Sequence, residues 1–196
     1  MAKKIMFNDE YELTRAVLER RKTQTRRLVP KDFFTLAWDK REDTLVYENE
    51  EGDFIDIRDS KYALYKVGEV VAISQRYNDI FEEQYGENFE LLDLYMSAGW
   101  DNKMFVKASK MLHHIRIIDV RIERLQDISD EYCLKEGIKK NLRCGKYGFD
   151  SNIGYISQYP FPNPCEAFAV LIDKVSGKGT WDSNPYVFVY DFELVD

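Results

Sequence analysis

The sequence has 196 residues, of which 44% are hydrophobic and 32% are charged, and its formal net charge is −7. This length and composition predict a single domain with one sizeable core, and the negative charge argues against a general DNA-coating protein, because the field of the whole molecule repels a polyanion. No stretch approaches the roughly 18 apolar residues that a membrane-spanning helix needs, so we expect a cytoplasmic protein that contacts no membrane.

The cysteines and histidines have no spacing that is typical of a metal site. Cys133, Cys144 and Cys165 are separated by 11 and 21 positions, too far for a CxxC pair. Their odd number, with no signal peptide, indicates reduced thiols. His113 and His114 are adjacent, whereas a helical zinc site needs histidines four positions apart. We therefore expect neither a metal nor a cofactor.

The N-terminal region predicts a strand followed by a helix. Ile5-Met6-Phe7 is a short apolar run that is typical of an opening strand. Asp9 and Glu12 have the spacing of a capping box, so we expect a helix that begins at Asp9. Apolar residues between 13 and 17 recur at helical spacing. A strongly basic stretch would follow directly after the C-terminal end of this helix.

That stretch, called the basic segment below, covers residues 20–27 and carries five basic side chains in eight positions. It reads Arg20-Arg21-Lys22-Thr23-Gln24-Thr25-Arg26-Arg27. We expect it at a helix-to-strand junction, where arginines can bind phosphate in bidentate fashion. The alternative is a solvated cluster that complements the helix dipole. The hydroxyl of Thr25 is suited to a ligand contact or proton transfer, or belongs to an ordinary threonine at a strand start.

The middle of the chain predicts short strands and a lid-like insertion. Residues 34–38, 44–47 and 54–57 are typical of strands in a hairpin or meander, and Val70 to Ser74 predicts a further strand. The acidic, aromatic stretch from Tyr77 onward indicates a short helix or a lid.

The segment from Met111 to Leu125 predicts a long strand. Ile118, Val120 and Ile122 alternate with polar residues and are expected to face inward. An uninterrupted register would also point Arg116 inward, toward a cleft. A β-bulge near Ile117 would instead put Arg116 in water. Both alternatives stay open.

The C-terminal third predicts two helices and a strand. Ser129 caps a helix that Gly137 ends, and Asn163 caps a second helix that ends at Gly177. The strict alternation from Tyr186 to Leu194 predicts a core strand.

Before this strand, Trp181 and Asn184 have two interpretations. They offer a stacking face and a polar contact for a base. The favoured alternative is a core tryptophan and a turn residue.

These blocks resemble the ASCH domain family, whose fold is a PUA-like β-barrel and whose signature is GxKxxExR. Lys22 and Arg27 fall on its lysine and arginine positions, whereas Arg20 replaces the glycine and Thr25 replaces the glutamate. The chain is more similar to bacterial and prophage ASCH-like proteins. Four ordered blocks carry this likeness: Arg21 to Arg27, Val67-Gly68-Glu69, Arg121 to Ser129, and Trp181 through Glu193.

One branch of the family consists of small acetylcytidine amidohydrolases, in which a lysine, a threonine and a glutamate on a later strand form the catalytic set. Lys22 and Thr25 match the first two. The glutamate is missing, because Arg116 falls at or near its position and Asp119 is the closest acid. A hydroxyl nucleophile needs a group that accepts and returns its proton. We therefore expect hydrolysis of N4-acetylcytidine to be absent or very slow.

The resemblance implies a cleft beside the barrel, formed partly by the basic segment, that binds RNA, nucleotides or nucleosides. Lys22 and Thr25 would be catalytic only in an enzyme. The expected ligand-binding residues are Arg21, Lys22, Thr23, Thr25, Arg26, Arg27, Arg116, Trp181 and Asn184.

We thus predict a single α+β domain over residues 1–196, a PUA-like β-barrel flanked by helices, with insertions at about 31–66, 77–104 and 139–162. The main functional prediction is an RNA- or nucleotide/nucleoside-binding module of a bacterial or prophage protein that binds an anionic ligand at the basic segment. One alternative is an amidohydrolase acting on an acylated nucleoside. Another is an accessory protein that binds a second protein through its acidic insertions.

Overall fold

The computed structural model describes residues 2–30, 36–39, 44–49, 51–84, 92–152 and 160–195. Helices and strands mix along the chain, which confirms the predicted α+β class. The strands are β1 (Lys4–Ile5), β2 (Gln24–Leu28), β3 (Leu36–Asp39), β4 (Thr44–Glu48), β5 (Phe54–Asp56), β6 (Val70–Ile73), β7 (His114–Arg124), β8 (Lys139–Lys140), β9 (Tyr147–Gly148) and β10 (Tyr186–Leu194). The helices are α1 (Leu13–Leu18), α2 (Tyr77–Gln84), α3 (Leu92–Tyr95), α4 (Asp130–Lys135), α5 (Pro164–Ser176) and α6 (Thr180–Ser183).

The main sheet has five strands in the order β1-β6-β7-β10-β2. β1 and β6 are parallel, and the other neighbours are antiparallel. β3, β4 and β5 form a separate antiparallel meander, as the sequence predicts, although residues 34 and 35 of the predicted first strand lie outside the described residues. A two-stranded hairpin, β8-β9, occupies part of the predicted 139–162 loop.

In the described part of the chain the main sheet is open, with β1 and β2 at its two edges and no closed barrel. The PUA-like barrel therefore stays a prediction. Side chains nevertheless connect the two edges, because the Arg27 guanidinium on β2 donates to the Met6 carbonyl just after β1 at 2.7 Å. The seam between these edges borders the cavity described in the next subsection.

Helix α1 begins at Leu13, so the predicted start at Asp9 is wrong. Residues 9–12 form turns, and Glu12 has a φ of 51°, a left-handed conformation that the helix cannot continue through. The Thr14 hydroxyl donates to the Asp9 carboxylate at 2.5 Å and holds the turn in place. The capping-box spacing is thus used by a turn that precedes the helix.

β7 contains a β-bulge, and the predicted inward orientation of Ile118 is therefore wrong. Asp119 pairs with Asp191 and Ile117 with Phe192 on β10, so Ile118 has no partner across this ladder. Ile118 is consequently 52% exposed, although the alternation placed it inward. Arg116 lies on the outer face, where its side chain is half exposed and pairs with Glu193 at 3.2 Å. The alternative of a bulge is confirmed.

The C-terminal elements match the sequence closely. The Asn163 side chain accepts from the Glu166 amide at the start of α5, and Gly177 ends the helix with a φ of 107°. β10 spans the predicted residues, and residues Val187 to Tyr190, which lie between β7 and β2, are buried on both faces. In the predicted insertion at 77–104 the described residues form α2, α3 and a short 3-10 helix, while residues 85–91 lie outside them. Of the helices described, none has the length and apolar character to cross a bilayer.

Candidate functional site

Lys22 lies in the junction between α1 and β2, where the basic segment was expected. Its amide donates to the Ala16 carbonyl of α1 at 2.9 Å, and the next amide, of Thr23, donates to the Lys135 carbonyl of α4 at 2.9 Å. The junction is therefore tied to both helices. The Lys22 side chain is only 2% exposed, an unusual environment for an ammonium group.

Three oxygen atoms surround the Lys22 ammonium. Its Nζ lies 2.9 Å from the Gln24 carbonyl, 2.9 Å from the Glu136 carbonyl and 2.5 Å from the Glu136 carboxylate. All three N–H donors of the ammonium thus have acceptors. Burial lowers the pKa of Lys22 below its usual value, and the negative charge of Glu136 opposes this shift.

Glu136 comes from the C-terminal end of α4 and is itself buried, with 4% of its surface exposed. The following residue, Gly137, has a φ of 106°, and a Cβ there would lie 3.2 Å from Leu13 and 3.8 Å from Lys22. Glycine therefore permits both the reversal of the chain and the close packing of α4 against α1. This turn directs the Glu136 carboxylate to the basic segment.

Arg26 on β2 binds the same carboxylate from the other side. Its guanidinium donates to Glu136 at 3.0 Å and to the Gln24 side chain at 2.5 Å, and it also pairs with Glu123 on β7. The Arg26 side chain is 1% exposed and lies 5.8 Å from the centre of the Phe168 ring. A buried guanidinium needs this many acceptors to offset the loss of water.

The ion pairs continue along the sheet to its surface. Arg121 on β7 contacts Glu123 at 3.4 Å and also pairs with Asp191 on β10. Asp191 in turn accepts from the Gln24 side chain at 2.5 Å. Positive and negative groups alternate through this network, so the basic segment carries little uncompensated charge inside the protein.

A cavity of about 80 Å³ adjoins Lys22 and Glu136. One side is polar, and most of the rest is formed by apolar side chains, many of them from α5. The lining residues are Phe7, Asn8, Leu13, Lys22, Thr25, Arg26, Arg27, Leu28, Glu136, Phe168, Leu171, Ile172, Val175 and Ser176. Thr25, 4% exposed, therefore shares this cavity with Lys22 and Glu136.

The structure brings four of the predicted site residues to the cavity and leaves the others elsewhere. Lys22, Thr25, Arg26 and Arg27 line it. Arg21 pairs with Glu19 at 2.7 Å, and the Thr23 carbonyl accepts from the Phe192 amide. Neither Arg21 nor Thr23 lines the cavity.

The three predicted residues from later in the chain also lie outside the cavity lining. Arg116 is on the outer face of β7. The Trp181 ring packs edge-on against Phe168, at 6.2 Å between ring centres, and the Asn184 side chain accepts from the Gln126 amide at 2.9 Å. Trp181 and Asn184 therefore connect α6 to α5 and to the end of β7.

Glu136 is the residue that sequence reasoning missed. The glutamate that the resemblance implies on a later strand stays missing, but the structure brings a carboxylate from the end of α4 to Lys22. Asp119, the acid considered closest, is half exposed and pairs with Arg121 at 3.1 Å. A signal was present in the sequence: a glutamate just before the glycine that ends a helix opposes the helix dipole and needs a nearby cation.

No family model matches the chain, and no curated protein or solved structure matches it either. Within the described residues, no three or more histidine, cysteine, aspartate or glutamate side chains are grouped in a way that would hold a metal ion. The arrangement that stands out is thus a buried lysine, a carboxylate and a threonine around one small cavity.

Proposed function

We propose that the protein is an amidohydrolase that removes the acyl group from an acylated nucleoside, with Lys22, Thr25 and Glu136 as its catalytic residues. One observation carries this proposal: the Glu136 carboxylate lies 2.5 Å from Lys22 beside a cavity that Thr25 also lines. Lys22 and Thr25 match two of the three catalytic residues of acetylcytidine amidohydrolases, and the carboxylate was the residue without a match. Glu136 supplies a carboxylate from a different part of the chain.

The lysine–glutamate pair supports proton transfer in a water-poor site. Burial lowers the pKa of the Lys22 ammonium, so a proton can pass from it to the Glu136 carboxylate 2.5 Å away. The neutral amine then accepts the proton of the Thr25 hydroxyl as its oxygen attacks the amide carbonyl. That proton passes to the leaving nitrogen, and water hydrolyses the resulting ester to release the carboxylic acid and free the threonine.

The rim of the cavity supports a nucleoside as the remainder of the substrate. Arg27 is half-buried there, and Asn8 and Ser176 add an amide and a hydroxyl. These groups can donate hydrogen bonds to the ring and sugar oxygens of a nucleoside. A cavity of about 80 Å³ admits only a small part of such a ligand, so the base and sugar would lie outside it.

We also propose that the sheet belongs to a PUA-like barrel of the ASCH type. The contact of Arg27 with the Met6 carbonyl supports this proposal, because it joins the two edge strands whose pairing would close the sheet. Phe7, which follows β1, lies under the Lys22 ammonium at 5.9 Å from its ring centre. Both contacts draw the two edges together.

A second candidate function is binding of RNA or a nucleotide without turnover. The exposure of Arg20, Arg21 and Arg27 favours it, because Arg20 is exposed and the other two are half-buried, and Arg27 also lines the cavity. Arg21, Lys22 and Arg26 already contact carboxylates, so phosphate contacts would fall to Arg20 and Arg27. Such contacts would give an affinity that falls steeply with salt concentration.

The experiment is incubation of the purified protein with N4-acetylcytidine, followed by chromatography of cytidine. We expect turnover that disappears in Thr25→Val, Lys22→Met and Glu136→Gln. Thr23→Val is the matched control, because it removes a hydroxyl from the same segment without altering the cavity lining. Absence of turnover in the folded wild type would contradict the proposed amidohydrolase function. In that case, RNA binding that weakens with salt and in Arg27→Ala would support the second candidate function.

A further inference from the structure

We propose that helix α5 selects the length of the acyl group, with Val175 as the residue that sets the limit; this inference rests on the proposed amidohydrolase function. It assigns the apolar part of the cavity to a short aliphatic chain. It also makes Val175, which lies away from the catalytic residues along the chain, a specificity-determining residue.

The cavity has the two-sided character that such a substrate requires. Lys22, Thr25 and Glu136 supply polar atoms for the carbonyl group that reacts. The other walls are mainly hydrocarbon, contributed by Phe7, Leu13, Leu28, Phe168, Leu171, Ile172 and Val175. An alkyl tail gains free energy from burial against such walls, whereas a charged or strongly polar tail would lose its hydration.

The volume of the cavity limits the size of that tail. About 80 Å³ is several times the roughly 10–15 Å³ of cavity space that admits one water molecule, so the cavity suits a short chain. A butyryl group has two more non-hydrogen atoms than an acetyl group and would reach further along the α5 wall toward Val175. Wild-type protein should therefore discriminate between the two.

The helical spacing of α5 explains why this wall is continuous. Phe168, Leu171, Ile172 and Val175 recur at positions that share one face of a helix, and the first three are buried. Val175 is half-buried and precedes the exposed Ser176. It therefore lies at the more open end of the wall, where a longer chain would have to pass.

The test compares N4-acetylcytidine with N4-butyrylcytidine, for wild type and Val175→Ala. Both kcat/KM and the Kd of each compound are measured. We expect wild type to favour acetyl, and the variant to shift the butyryl-to-acetyl ratio upward by about tenfold, since each methylene in an apolar pocket changes discrimination by at least that order. Val170→Ala is the matched control, because Val170 is a half-buried valine of the same helix outside the cavity lining.

The outcomes separate this inference from the function on which it rests. Turnover of both compounds with an unchanged ratio in Val175→Ala overturns the assignment of Val175 and leaves the amidohydrolase intact. Absence of turnover in wild type contradicts the amidohydrolase function. The butyryl-to-acetyl ratio of Kd values, compared between wild type and Val175→Ala, then decides whether α5 selects the length of the acyl group. Ile172→Val, which removes one methylene from the same wall, provides a second variant and should shift the ratio in the same direction. A ratio that moves equally in Val170→Ala also overturns the inference.

Discussion

The carboxylate of Glu136 lies 2.5 Å from the ammonium of Lys22, although 114 positions separate the two residues in the chain. Both side chains are at most 5% exposed. Removing two charges from water costs several kcal/mol for each ion, which their attraction recovers only when further hydrogen bonds complete the site. The backbone carbonyls around Lys22 and the guanidinium of Arg26 supply those bonds.

Loss of the Glu136 charge should destabilise the protein strongly. We expect Glu136→Gln to lower the free energy of unfolding by about 3–5 kcal/mol, because it leaves the buried Lys22 ammonium without a counter-charge. Urea denaturation monitored by circular dichroism measures this change. Glu19→Gln is the control, since Glu19 is a 40% exposed partner of Arg15 and Arg21 and should cost less than about 1 kcal/mol. Equal losses of unfolding free energy in the two variants would contradict the assignment of Lys22 and Glu136 as a buried ion pair.

The stability of the protein should rise with pH through Lys22. Burial lowers the pKa of this residue in the folded state, whereas the unfolded chain keeps its usual value of 10.5. The unfolded state therefore holds a proton that the folded state has released, and raising the pH toward 10.5 favours folding. The difference in unfolding free energy between wild type and Lys22→Met, measured from pH 8 to pH 10, should increase. A constant difference would argue against a lowered pKa.

Above pH 10, tyrosine ionisation should lower the stability of the protein. Burial raises the pKa of Tyr190 to about 12, and a hydrogen bond to Glu10 raises that of Tyr11 to about 12. The unfolded chain loses these protons near pH 10 and the folded chain does not, so stability falls between pH 10 and 12. Spectrophotometric titration should resolve a late step for these two residues, and Tyr190→Phe should reduce its amplitude. A single step near pH 10 would contradict this.

Replacement of Arg116 should have little effect. Its ion pair with Glu193 is half exposed on both sides, and exposed pairs contribute at most about 1 kcal/mol. We expect Arg116→Ala to change the unfolding free energy by less than this and to leave ligand binding unaltered. A loss above about 2 kcal/mol would mean that Arg116 faces inward after all, against the bulge at Ile118.

The three thiols should react at very different rates. Cys144 is exposed, whereas burial raises the pKa of both Cys133 and Cys165 and so suppresses their thiolates. Alkylation followed by mass spectrometry should therefore label Cys144 first and Cys133 last. Cys144→Ser should remove the fast phase without changing the rates of the other two. Rapid labelling of Cys133 would contradict its burial.

Sequence reasoning succeeded where a pattern is local and complete. The strict alternation of residues 186–194 predicts β10 to its ends, and the caps at Asn163 and Gly177 predict α5. It failed at Ile118, because period-two alternation carries no mark of the residue at which a bulge reverses the faces. It also failed at Asp9, where a capping-box spacing serves a turn.

The candidate site shows the same division. Lys22 and Thr25 belong to one short segment and are visible as a motif. Glu136 reaches the site only through the packing of α4 against β2, and Glu123 only because β7 and β2 flank β10 in the sheet. No local pattern encodes which distant carboxylate a buried cation will meet.

The pairing of β2 with β10 has a consequence for how the protein folds. Among the strands that the structure describes, β2 pairs with β10 alone, and Gln24 meets Asp191 across a separation of 167 positions. During synthesis β2 therefore has no partner strand until β10 has left the ribosome. Contacts of such long range slow folding, because the intervening loop must close before they form. The nascent chain consequently exposes an unpaired basic strand until residues 186–194 have emerged, and a chain truncated before Tyr186 should fail to assemble the Lys22 environment.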